Sequence, residues 1–458
     1  MVRNRRRKQS RNGERGVTLI LVVIAMMSML AMLALAIDVI TLYVAHSEAQ
    51  SAADAAALAA AKMLVDSGVT GDPSNGALQT TAQTLAIMAA RDVAAKATIG
   101  GRPVQTADVI VTFPNGGAAS FGIDPTVNVT VQNANLPTFF SRIWSRSPLT
   151  VRASAKAEAF NPSNSSSVSG GPGIPLVARC VKPFLLPNCD PVNPNNLGSN
   201  CGAGYSTFFS ATTGAITNPG QFPAGVVGET FNLRSDCTGS GPGCPLGPPT
   251  AAPGPLLLYY PAQLPVASSG SACPSSCGGG GTTFEGDIEC CNPMPLTCGA
   301  TAGPITNALA ADPTVFPEGG GGPAQSGLQC LVHQRPGNGQ DILNENVLPG
   351  PLTYPLQIQV GNNHPLSGTP SLATNDFITT SDSLVTVPVY DGVSAPAGPV
   401  SIIGFLQLFI VRVWPGGGGP KAGEFTVTVV NVSGCGSSAT GTPVYGAGVS
   451  AIPVRLIQ

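Results

Sequence analysis

Gly16–Met63 reads GVTLILVVIAMMSMLAMLALAIDVITLYVAHSEAQSAADAAALAAAKM, and it decides how everything after it is to be read. From Val17 to Ile37 only Thr18 and Ser28 interrupt an apolar run of 21 residues. Wound as an α-helix, that run is roughly 31 Å long, the thickness of a bilayer's hydrocarbon core. No proline or glycine follows Asp38 until Gly68, and alanine dominates the interval. Alanine is the strongest helix former, so the same helix is expected to continue as a stalk over residues 38–66.

Charge sets the direction of the span. Residues 1–15 carry Arg3, Arg5, Arg6, Arg7, Lys8, Arg11 and Arg15 against Glu14 alone, while the whole chain has a formal charge of −2. Basic residues beside an apolar span stay in the cytoplasm, so the bulk of the chain is expected outside. Arg15 and Asp38 then mark the two membrane boundaries, with Asp38 the first residue back in water. A nucleic-acid-binding arm is the competing reading of the basic run, and the adjoining span argues against it. Ala34-Leu35-Ala36 also fits a signal-peptidase site. The apolar stretch exceeds the usual h-region and the helix pattern crosses the cut, which favours an uncleaved anchor.

The string Gln50-Ser51-Ala52-Ala53-Asp54-Ala55-Ala56-Ala57-Leu58-Ala59-Ala60-Ala61, behind a basic start, an apolar span and Asp38, resembles the amino-terminal segment of the Tad/TadG-like Flp pilus-assembly proteins. The resemblance covers residues 10–65 and continues more loosely to 160. It implies an inner-membrane, single-pass component whose partners are other Tad/Flp assembly proteins and the lipid bilayer. It implies no catalysis, cofactor or nucleic acid. Prepilins of related systems carry glutamate five residues after their processed glycine; Leu21 stands there after Gly16, which argues for an assembly component over a fibre subunit.

Within the stalk, Ala45, Ala49, Ala53, Ala57 and Ala61 recur every four residues, with Asp54 alongside. Such a stripe lets another backbone approach closely. It suits a partner helix or a second copy, and it equally suits this chain's own next domain. His46, Glu48 and Asp54 are expected on a solvated face.

After the turn at 68–76 a helix is expected over 77–97, its apolar face formed by Leu78, Ala82, Leu85, Met88 or Ala89, and Val93. Strands are expected at 109–113, 127–131 and 149–160, with a short aromatic helix or turn at 137–144. Residues 67–160 thus read as a small α+β module. A flexible linker is expected at 161–173. Residues 174–342 are rich in Cys, Gly and Pro, and strands dominate 343–458, at 354–360, 384–390, 401–414, 424–432 and 449–457. The run Ser401–Val411 is too apolar for an exposed strand, and a β-sandwich is expected around it. The fold class is α+β.

All the cysteines fall in the exported part: Cys180, Cys189, Cys201, Cys237, Cys244, Cys273, Cys277, Cys290, Cys291, Cys298, Cys330 and Cys435. An even number, twelve, suits disulfides in an oxidising compartment. A zinc site lacks a nearby histidine, since the chain has only His46, His333 and His364.

No H-E-x-x-H, G-x-x-x-x-G-K-[ST], G-x-S-x-G or D-x-S-x-S string occurs, so hydrolase, phosphate-loop and von Willebrand A readings have no support. His333 and His364 are expected at the surface, as are Asp376 and Asp382, where calcium is the competing use. The function expected is a pilus-assembly scaffold in the bacterial inner membrane. The alternative is a tethered periplasmic or extracellular binding or adhesion module using the disulfide-rich β region.

Overall fold

The structure is a computed structural model. It describes residues 12–114, 121, 124–136, 149–164, 173–192, 206–235, 255–264, 283–299, 306–307, 323–335, 337–343, 348–367, 372–392, 399–414, 424–445 and 450–457. The expected aromatic element at 137–144, the glycine runs at 278–281 and 319–322, and most of the linker lie outside these residues. The chain divides into two compact units: Met1–Ala57, Ala90–Thr112 and Asn128–Ala155 form one, and Leu58–Ala89, Phe113–Val127 and Lys156–Gln458 the other.

Helix α1 runs unbroken over Asn12–Asp66, 55 residues, so span and stalk are one rod. It stops at Gly68, which adopts φ +72. The amides of Ser67 and Gly68 return to the carbonyls of Met63 and Val65, satisfying acceptors the helix end leaves open. Helix α2, Gly76–Ala95, begins where Asn75 Oδ1 accepts the amides of Ala77 and Leu78, an N-cap. Its buried stripe is Leu78, Ala82, Ala86, Ala90 and Ala94. The expected face was rotated from this: Met88 is exposed, and Leu85 and Val93 are half-buried. Small side chains win the inner positions because close helix packing needs short Cβ–Cβ distances.

In the first unit, β1 (Val109–Thr112) pairs antiparallel with β2 (Thr126–Leu136), Val109 opposite Val131 and Val111 opposite Val129. Strand β3, Leu149–Ala159, alternates buried Val151, Ala153 and Ala155 with exposed Thr150, Arg152 and Ser154, the period-two signature of a half-covered sheet.

The second unit is built on a closed ring of strands. These are β4 (Phe184–Pro187), β5 (Thr230–Ser235), β6 (Leu256–Gln263), β7 (Leu384–Tyr390), β8 (Ile402–Val413) and β9 (Phe425–Gly434). The order β6-β4-β7-β8-β9-β5 closes because β5 pairs back onto β6, Asn232 opposite Leu256 and Ser235 opposite Tyr259. The expected β-sandwich is therefore replaced by a barrel. Two of its pairings, β4–β7 and β5–β6, are parallel, and three of its strands come from the Cys-rich region. Phe184, Tyr259 and Phe425 meet with ring centroids 4.9, 5.2 and 5.9 Å apart. Strands β4 and β9 are not neighbours, so this contact crosses the lumen and the lumen is a packed aromatic core. From Ile402 to Ile410 β8 is buried on both faces, as its apolar run requires.

Several boundaries differ from those expected. Only Ile358–Gln359 of the expected strand at 354–360 forms, within a three-stranded ladder of two-residue pieces. The last strand, β10 (Val454–Ile457), pairs with β3, Val454 opposite Ala159 and Arg455 opposite Glu158, and takes no place in the barrel. Asn161–Asn164, expected to open a flexible linker, are buried. The Asn161 amide side chain donates to the carbonyls of Thr70 and Val432, and Ser163 Oγ accepts from Gly434 N. A polar segment can sit there because each group finds a backbone partner.

Disulfides join Cys180 to Cys291 and Cys298 to Cys435. Cys189, Cys290 and Cys330 are also disulfide-bonded, while Cys201, Cys237, Cys244, Cys273 and Cys277 lie outside the described residues. The two bridges close separations of 111 and 137 residues. On the chain-entropy account, each such loop is worth about 4–5 kcal/mol.

Candidate functional site

The surface that stands apart is α1 itself. Between Val17 and Val44 it exposes large apolar side chains all along its length, among them Leu21, Met27, Leu30, Met32 and Leu35 at 61–73 %. Among the described residues no other helix is long and apolar enough to cross a membrane. Water cannot solvate such a surface without a large hydrophobic penalty. Lipid can.

The second half of the same helix is the reverse. Ala45, Ala49, Ala53, Ala57 and Ala61 are all 0 % exposed, and Ala52, Ala56 and Ala60 are buried beside them. The stripe is covered by this chain. In the first unit Ser47, Glu48, Ser51, Ala52 and Ala55 of α1 line a groove with Val93 of α2 and with Ala97 and Thr98 just beyond that helix. Gln50 Nε2 bridges Asp54 Oδ1 at 2.8 Å and the Ser154 carbonyl at 3.4 Å. Glu48, expected in solvent, instead accepts the amide of Gly100 at 2.7 Å. Gly100 needs its positive φ of +58 there, and a Cβ would lie 2.4 Å from Leu136.

Asp38, expected to be the first residue back in water, is covered by the chain. It is 5 % exposed, and Ala34 one turn earlier is also buried, while Ile37, Val39 and Ile40 around them remain exposed. Arg15 belongs to α1, and its side chain is outside the described residues.

Residues 16–63 match the family model of Tad, the Flp pilus-assembly TadE/G-like proteins. The likeness is confined to these 48 of the chain's 458 residues. It coincides with the exposed shaft and the covered alanine stripe together, so the matched pattern is one helix with two environments. No curated protein and no solved structure matches the chain.

Beyond residues 16–63, the buried Lys182 and Glu229 have structural neighbours. Lys182 Nζ donates to the carbonyls of Ile288 and Cys290 at 2.6 and 2.8 Å, capping the end of α3 (Thr283–Glu289). Burial pulls its pKa down to about 8 although Asp382, Asp287 and Glu289 oppose the shift. Glu229 is buried beside Asp190, and desolvation together with that neighbour raises its carboxyl to about 9. Sequence reading passed over both groups, because an isolated Lys or Glu carries no signal of its burial.

His333 and His364 are not free surface residues. His333 Nε2 lies 2.9 Å from Asp382 Oδ2, and His364 Nε2 lies 3.8 Å from Asp341 Oδ2. The hydrogen bond to His333 holds the Asp382 carboxyl below the usual range. Ser381 Oγ donates to Asp341 Oδ2, not to an imidazole, so it does not form a Ser–His pair. Asp376 Oδ2 accepts the amide of Ala373, and among the described residues no group of three His, Cys, Asp or Glu could hold a metal.

Proposed function

We propose that this protein is a single-pass membrane-anchored structural component of a Tad-type (Flp) pilus or related secretion apparatus. Its amino terminus lies in the cytoplasm and its folded bulk in the periplasm or beyond. It works through helix and domain contacts with other assembly components and catalyses no reaction. The observation that carries this reading is the exposed apolar shaft of α1 from Val17 to Val44, inside the segment that matches the Tad model. Seven basic residues before Gly16 set the orientation. The disulfides suit an oxidising compartment.

The covered alanine stripe enters this proposal as an internal seam. Partner contact belongs to surfaces outside it.

The test is carbonate extraction of native membranes followed by amino-terminal sequencing and protease digestion of spheroplasts. An integral protein that begins before Val17 and loses its bulk to external protease supports the reading. A soluble mature chain beginning after Ala36 overturns it.

A further inference from the structure

On that reading, the position of the lipid boundary can be refined. Past Asp38 the helix still exposes Val39 (54 %), Ile40 (63 %), Tyr43 (75 %) and Val44 (49 %). On the opposite face Ala34, Asp38, Ala45 and Ala49 are buried by the chain itself. Between Ala34 and Ala49, therefore, α1 has one apolar side without cover and one side sealed by protein.

We infer that the bilayer covers this helix on one side only from Ala34 onward, contacting it as far as Val44 while the folded chain shields Asp38 at membrane depth. Three observations choose lipid over a partner helix. The strip continues the span with no polar break on its own face. Its residues are bulky, whereas close helix–helix packing uses small ones, and the small ones lie on the sealed face. The lengths also agree: Arg15 to Val44 is roughly 44 Å of helix, close to a bilayer with its headgroup layers. Val17–Ile37 then fills the hydrocarbon core, and Tyr43 falls in the interfacial layer that tyrosine favours. Asp38 escapes the cost of facing lipid because protein, not acyl chain, lies against it. The first unit accordingly sits down onto the outer membrane face rather than standing off on a stalk.

The test reconstitutes the full-length protein in phosphatidylethanolamine–phosphatidylglycerol vesicles doped with a diazirine-bearing phospholipid. Irradiation and peptide mass spectrometry then map the adducts. Adducts on Val39, Ile40, Tyr43 or Val44, severalfold above any on Ala34, Asp38 or Ala45, are the expected result. Adducts that stop at Ile37, or that ring residues 38–45 evenly, overturn the one-sided boundary and leave the anchor standing. No adducts anywhere in Val17–Ile37 would overturn the anchor itself.

Discussion

The two halves of α1 are the same secondary structure in opposite surroundings. From Val17 to Val44 the helix is built of Leu, Met, Ile and Val and turns them outward; from Ala45 to Asp66 it is built of Ala and turns it inward. Helix propensity does not separate them. Side-chain size does: bulky residues suit a fluid surround that conforms to them, and alanine suits a rigid neighbour that comes close.

The largest test of that contrast is at the end of the inward half. Gly68→Ala puts a Cβ 2.3 Å from the Tyr354 ring at a φ of +72. A loss of about 3 kcal/mol is expected, read as a fall in the melting temperature of the purified protein in detergent. Ala53→Leu or Ala57→Leu comes next, at about 2 kcal/mol each, because the three carbons that leucine adds have no room at a 0 % exposed alanine. Unchanged melting with lost co-purification of assembly partners would instead make the stripe a partner face.

A smaller effect concerns inward polarity. Glu229 keeps its proton in the folded chain up to about pH 9, far above an unfolded glutamate. Unfolding therefore releases a proton through the window between those values, and stability falls as pH rises across it. Glu229→Gln should flatten that slope in denaturant titrations between pH 5 and 9 (about neutral to each side). A slope identical to that of the parent would discount the shift. The smallest effect belongs to the outward half. Leu30→Ala, at a residue 63 % exposed, should change stability in detergent by about 0.5 kcal/mol or less.

Local pattern carried the reading of elements well and their assembly poorly. The apolar run at Ser401–Val411 and the alternation at Val127–Val131 announced β8 and β2, because burial imposes a period on neighbouring residues. Closure of the barrel left no such mark. It depends on β5 and β6, strands from a turn-rich region, adopting a parallel register that no hairpin signal encodes. Asn161–Asn164 misled for a related reason: Asn, Pro and Ser spell a linker until distant carbonyls at Thr70 and Val432 receive them. At the site, the span and the alanine stripe were legible. What seals the stripe, and the burial of Asp38, belong to tertiary structure alone.

The pairing of β10 with β3 has a consequence for biogenesis. A ribosome delivers Lys156–Ala159 nearly three hundred residues before Val454–Ile457, so an early sheet edge stays bare until the strand that covers it is made. Bare edges recruit foreign strands. A product that stops before Val454 leaves Lys156–Ala159 uncovered, open to aggregation or proteolysis.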